Sequence, residues 1–169
     1  MKLQSDLEPK MEIAEKRYPR VLKLLGDYAE YTDEHGDEDL SRYRELEAAL
    51  ADLTGKDMAV YNLWEWWEEE GLEVLAFRIS LPAPDKVDAI TREELTEIVK
   101  RLKEDIYESS GGEDFSAEFA YYLGDYYHEL LELHFRNYSS SLFDRQKDKA
   151  GNYFEYTVDE ITKLLWDKN

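Results

Sequence analysis

Cysteine is missing from this chain of 169 residues, which excludes disulfide bonds, thiolate metal ligands and thiol nucleophiles. The first twenty residues carry charges throughout and contain no apolar core of the kind found in secretory signal peptides. No uncharged run approaches the roughly 18 residues that a membrane-spanning helix needs. We therefore expect a cytoplasmic protein without a membrane partner.

Glycine-rich motifs for nucleotide binding are missing as well. Gly55-Lys56 is followed by Asp57 and lacks the preceding glycine of a phosphate-binding loop. Neither Gly-x-Gly-x-x-Gly nor the Gly-x-Ser-x-Gly motif of hydrolases occurs. The sequence predicts no cofactor and favours a non-enzymatic role over an enzymatic one.

Acidic residues are abundant and unevenly distributed. The chain has 40 acidic and 21 basic residues, a net charge of −19. Residues 31–120 alone hold 25 acidic and 9 basic residues, a net charge of −16. Such a surface repels nucleic acid and anionic lipid and speeds encounters with cationic partners. The same acidity is also explained by solubility alone.

The spacing of apolar residues predicts a single domain, residues 1–169, of the predominantly helical α+β class. We expect about five to six helices packed on a small antiparallel sheet. Two capping boxes, Thr91–Glu94 and Thr157–Glu160, mark helix starts. The longest helix is expected over about 115–136, and 31–39 is expected to be a polar loop.

The clearest strand pattern covers residues 72–81, where Leu75, Phe77 and Ile79 alternate with other residues before Pro82. Further strands are expected near 57–61 and, as a short element, at 152–156. The pattern leaves open whether 58–70 is a strand or a helix. We favour a strand at 57–61 followed by a helical turn through the tryptophans.

The segment 64–70 combines three tryptophans with four glutamates. Tryptophan anchors many protein interfaces, and flanking carboxylates can pair with lysine or arginine of a partner. The alternative is that these rings fill the core, as tryptophan rings often do. The residues predicted to bind a partner here are Trp64, Glu65, Trp67, Glu68, Glu69 and Glu70.

A second acidic segment follows the first predicted helix. Its carboxylates could imitate a run of phosphates, or could serve as a solvated loop that caps the next helix. The spacing of acids and glycine does not match a calcium-binding loop. The residues predicted to bind a partner here are Asp33, Glu34, Asp37, Glu38 and Asp39.

One helix carries the ingredients of a metal site. Asp125, His128 and Glu132 lie at helical spacing and could form part of a Zn or Fe centre. His134 is six residues beyond His128 and does not share its face. The alternative is a solvated helical face with His134 as a hydrogen-bonded core histidine, and this interpretation is preferred.

These observations favour an acidic inhibitor that occludes a basic protein, such as a nuclease-type toxin or another nucleic-acid-handling enzyme. The composition is similar to that of bacterial immunity proteins, antitoxins and phage-encoded DNA mimics, without a shared motif. Two alternatives remain: a metal-assisted hydrolase using the cluster on the 115–136 helix, and a non-catalytic subunit of a larger assembly.

Overall fold

The computed structural model describes residues 2–65, 70–104 and 114–167. It confirms the predominantly helical α+β class, with a small two-stranded antiparallel sheet. Contacts divide the chain into two compact units. We call Lys10–Ala83 the inserted unit, and Met1–Pro9 together with Pro84–Asn169 the flanking unit. The expectation of one domain over 1–169 stays a prediction.

The inserted unit is built on three helices: α1 (Met11–His35), α2 (Ser41–Thr54) and α3 (Leu72–Ser80). Helix α1 packs on both α2 and α3. Val21, Leu25 and Tyr28 of α1 lie three and four residues apart, so they share one face of the helix, and all three are buried in this core. Gly55 adopts the left-handed conformation (φ 73°) that ends α2, a conformation that glycine takes without steric cost.

The predicted strand at 72–81 is wrong, because Leu72–Ser80 is helical. Five residues between Leu75 and Ser80 are buried, so the helix is covered on more than one side. In such a segment the alternation of residue types does not distinguish a strand from a helix. Leu72, Leu75 and Ile79 are also spaced for a helix. Lys56 supports the end of α3, since its Nζ donates 2.8 Å hydrogen bonds to the carbonyls of Arg78 and Leu81.

The predicted strand at 57–61 is also wrong. Met58–Val60 forms a single 3₁₀ turn, and the Asp57 carboxylate accepts the backbone N–H of Ala59 at 2.9 Å. Asp57 therefore acts as a helix cap, which favours a turn over an extended strand. The predicted helical turn through the tryptophans lies in part outside the described residues, at 66–69.

The flanking unit contains α4 (Arg92–Lys103), α5 (Phe115–Phe119), α6 (Gly124–His134) and α7 (Val158–Trp166). Both predicted capping boxes are present, at Thr91–Glu94 and Thr157–Glu160. The single helix expected over 115–136 is wrong: a 3₁₀ turn, Ala120–Leu123, separates α5 from α6. Gly124, a poor helix former, lies at this junction.

The sheet of the flanking unit is one short hairpin. Strand β1 (Gln146–Lys147) pairs antiparallel with β2 (Tyr153–Phe154), in the register Lys147 to Tyr153. Gly151 takes a positive φ of 89° in the connecting turn. The short strand expected at 152–156 is confirmed.

Residues 2–9 are held to the rest of the flanking unit by ion pairs and hydrogen bonds. Arg101 pairs with both carboxylate oxygens of Glu8, at 2.8 and 3.1 Å, and with Glu97 at 3.1 Å. The Tyr127 hydroxyl accepts a further bond from Arg101 at 2.5 Å. Although burial opposes it, the hydrogen bonds to Glu8 and Tyr127 raise the pKa of Arg101 further above its ordinary value.

Candidate acidic surface of the inserted unit

Helix α1 is longer than the sequence predicts, and its last turn reaches into the acidic segment. Asp33 and Glu34 lie within α1, which ends at His35, so the polar loop expected over 31–39 begins only at Gly36. Both side chains are exposed. The stretch 24–41 contains seven acidic residues and no lysine or arginine, which makes this end of α1 strongly negative.

Two of the predicted carboxylates serve the start of α2. Asp37 accepts the backbone N–H groups of Arg42 and Tyr43, at 3.2 and 2.8 Å, and the Tyr28 hydroxyl at 3.3 Å. Asp39 accepts the Ser41 N–H at 3.0 Å, and that bond lowers the pKa of Asp39. These groups satisfy helix N–H groups that otherwise lack partners.

Burial raises the pKa of the Tyr28 hydroxyl to about 12, and the charge and hydrogen bond of Asp37 add to this effect. Leu40, between Asp37 and α2, has a φ of 57° and is the one non-glycine residue with positive φ in the part of the chain that the structure describes. The turn 37–40 is therefore held in place by Asp37 despite an unfavourable leucine conformation.

The other carboxylates at the end of α1 and in the following turn do not cap a helix. We define the acidic tip as Glu30, Asp33, Glu34 and Glu38, all of which are exposed. Within the described residues none of them pairs with a lysine or arginine; Glu34 lies 3.9 Å from the His35 imidazole. By contrast, Asp27 one turn earlier is paired with Lys23 at 2.6 Å.

The predicted tryptophan–glutamate segment is described only in part. Trp64 is 43% exposed and Glu65 is exposed, which agrees with a surface position for both. Glu70 is mostly covered and forms an ion pair with Arg78 at 2.7 Å. Trp67, Glu68 and Glu69 lie outside the described residues. Whether this segment binds a partner stays a prediction.

The predicted metal ligands are not assembled as a site. No group of three or more His, Asp or Glu side chains able to hold a metal ion occurs in residues 2–65, 70–104 and 114–167. The His128 Nδ1 is 2.8 Å from the Tyr138 hydroxyl, and its ring packs edge-on against Phe143. Burial lowers the pKa of His128 against the opposing charges of Asp125 and Asp144. The geometry gives Asp125, His128 and Glu132 no support as ligands.

His134 is hydrogen-bonded, as the sequence predicts, but it is half-buried rather than in the core. Its Nε2 accepts the Val87 N–H at 2.9 Å, and its Nδ1 lies 2.8 Å from the Leu130 carbonyl. A neutral ring protonated on Nδ1 satisfies both bonds.

Sequence reasoning missed an open groove between α1 and α2, with a volume of about 410 Å³. It joins the acidic segment, because Tyr28 in its lining bonds to Asp37. The lining residues are Leu24, Asp27, Tyr28, Tyr31, Arg42, Glu45, Leu46 and Ala49. No pattern in the sequence indicates this groove, because it exists only where α1 and α2 pair.

Comparison of the chain with protein-family models, with curated proteins and with solved structures gives no match. In the described part of the chain, no helix combines the length and apolarity needed to cross a bilayer.

Proposed function

We propose that the protein binds a basic protein partner and occludes its functional surface, with the acidic tip making the first contact. The observation that carries this proposal is the set of exposed carboxylates at the end of α1 that lack a lysine or arginine partner within the described residues. The partner class that suits them is a nuclease-type toxin or another nucleic-acid-handling protein, whose cationic site normally binds phosphate. We place this binding in the cytoplasm.

The position of these acids supports a role other than folding. The carboxyl end of a helix carries a partial negative charge, so acids there destabilise it by about 0.3–1 kcal/mol each. Glu30 and Glu34 are also four residues apart on one helix, where like charges repel. Solubility needs negative charge but does not need it at this unfavourable position.

The rest of the charge distribution supports directed association. Residues 10–23, which include the start of α1, have five basic and two acidic residues, whereas residues 24–41 have seven acidic residues and no lysine or arginine. A partner with a basic surface is therefore oriented towards one end of the inserted unit. Such steering accelerates encounter and weakens as salt screens the charges.

The test compares two triple variants that lose the same number of negative charges. The tip variant is Asp33→Asn, Glu34→Gln, Glu38→Gln, and the control is Glu12→Gln, Glu15→Gln, Asp52→Asn, whose acids are exposed elsewhere on the same unit. Basic proteins are captured from source-cell lysate at low salt and identified, and association rates are then measured for the purified partner.

We expect the tip variant to lower the association rate about tenfold and the control to change it by less than about twofold. Duplex DNA should compete with the wild-type protein for the partner. The acidic tip would be ruled out as a phosphate-like contact surface if the two variants had equal association rates. It would also be ruled out if binding changed neither with salt concentration nor on addition of duplex DNA.

A further inference from the structure

The groove between α1 and α2 has an apolar floor and a charged rim. Leu46 and the Tyr28 ring are almost fully buried beneath it, and Leu24 and Ala49 are half-buried along it. Its volume of about 410 Å³ lies within the range of sites that hold small molecules or several side chains. The groove can therefore accept an apolar group from outside.

The two carboxylates of the groove lining are both paired, Asp27 with Lys23 at 2.6 Å and Glu45 with Arg42, so the net negative charge beside the groove comes from the acidic tip. Arg42 is the one cation among the described lining residues, and it lies 5.0 Å from the Tyr31 ring centroid and 2.9 Å from Glu45. His35 stacks on the same ring at 4.8 Å. Arg42 thus interacts with neighbours within the groove. Of the acidic tip, Glu34 follows Tyr31 by about one turn of α1, and Glu38 lies in the turn between α1 and α2.

We infer that this groove receives an apolar side chain from a basic, amphipathic segment of the partner, a proposal that rests on the proposed function. The lysines or arginines of that segment would face the acidic tip while its apolar residue enters between Leu24, Leu46 and Ala49. Charge complementarity selects this occupant, because an anionic ligand or a second copy of this acidic chain is repelled by the same carboxylates.

The first measurement uses the full-length protein and two synthetic peptides of equal positive charge. One peptide has leucines at helical spacing between lysines, and the other has serines in their place. We expect the leucine peptide to bind about tenfold tighter, since burial of one leucine is commonly worth at least that factor. This ratio should persist at high salt, where both affinities fall.

The second measurement uses a matched pair of neighbouring substitutions on α2. Ala49→Phe fills the groove, whereas Ala48→Phe adds the same group at an exposed position outside the lining. Ala49→Phe should abolish the advantage of the leucine peptide, and Ala48→Phe should preserve it. Thermal unfolding confirms that both variants are folded, and the two-peptide comparison on the wild-type protein stands without either.

The outcomes separate the groove from the acidic tip. Equal affinity of the two peptides, or an equal effect of the two phenylalanine variants, overturns the groove as the receiving site while the proposed function stands. If the tip variant also binds both peptides as tightly as the wild type does, the acidic tip fails as a contact surface too.

Discussion

Acidic residues occupy the two ends of helices in this protein with opposite consequences. At the amino ends of α4 and α7, Glu94 and Glu160 close capping boxes, and Asp57 and Asp114 cap shorter turns. There a carboxylate accepts backbone N–H groups and faces the positive end of the helix dipole. At the carboxyl end of α1, Asp33 and Glu34 find neither of these partners.

The acidic residues behind the net charge of −19 therefore have at least two different roles. One part of the acidity stabilises helix starts and would be retained in a protein with no partner at all. The other part opposes the fold locally and remains exposed. We expect the two parts to respond to mutation with opposite signs, a loss of stability for the first and a gain for the second.

The largest expected effect is at a capping glutamate. Glu94 is only 9% exposed and accepts bonds from the Thr91 N–H and hydroxyl, both at 2.9 Å, and from the Gln4 N–H at 3.3 Å. Glu94→Ala should lower the free energy of unfolding by about 2–3 kcal/mol in urea denaturation. Glu93→Ala, at the exposed neighbouring position, should cost less than about 0.5 kcal/mol. Similar losses at both positions would contradict the structural role of Glu94.

The contribution of Glu94 to the free energy of unfolding should also depend on pH. Burial alone would raise the pKa of Glu94, but hydrogen bonds from Thr91 and Gln4 outweigh it and lower the pKa below the ordinary 4.5. The stability from this carboxylate is therefore complete above pH 4.5 and is lost as the pH falls through the lowered pKa. The difference in unfolding free energy between wild type and Glu94→Ala should shrink there. A constant difference down to acid pH would be inconsistent with this origin.

A smaller loss is expected where an acid of the α1–α2 segment caps a helix. Asp37→Ala should destabilise the protein by about 1–2 kcal/mol, because three donors lose their acceptor. The pKa of Tyr28 should fall from about 12 but stay above 10, because burial is its main cause. Spectroscopic titration of tyrosine checks the second point, and Glu38→Ala is the control that should change neither quantity.

The smallest expected effect is an increase in the free energy of unfolding rather than a decrease. Neutralising Asp33 and Glu34 as Asn and Gln should raise the free energy of unfolding by about 0.3–1 kcal/mol for each residue, because these side chains no longer repel the negative end of the α1 dipole. The gain should diminish in high salt. A loss of stability would mean that these carboxylates support the fold, which would remove the distinction between the two kinds of acid.

Local signals in the sequence were sufficient wherever neighbouring residues decide the structure. Both capping boxes and the strand near Tyr153 depend on contacts within a few residues, and the sequence predicts each of them. Helix α3 could not be assigned in this way. A short segment buried on both faces fits a strand or a helix equally, and only its packing on α1 distinguishes them.

In the candidate site, too, only the features that depend on neighbouring residues could be predicted. Composition alone located the carboxylates of 33–39, but not which of them cap α2, because that depends on how the chain turns at Leu40. Predicting the groove would have required knowing that α1 and α2 pack against each other. Residues such as Leu24 and Leu46 are indistinguishable from ordinary core residues until that pairing is known.

Lys56 has a practical consequence for these experiments. Its ammonium group donates to two carbonyls at the end of α3, so acylation during random amine coupling would remove that charge and disturb the inserted unit. A sensor surface prepared in this way would report damaged protein. Because the chain has no cysteine, one introduced at an exposed position of the flanking unit gives a unique thiol for oriented attachment.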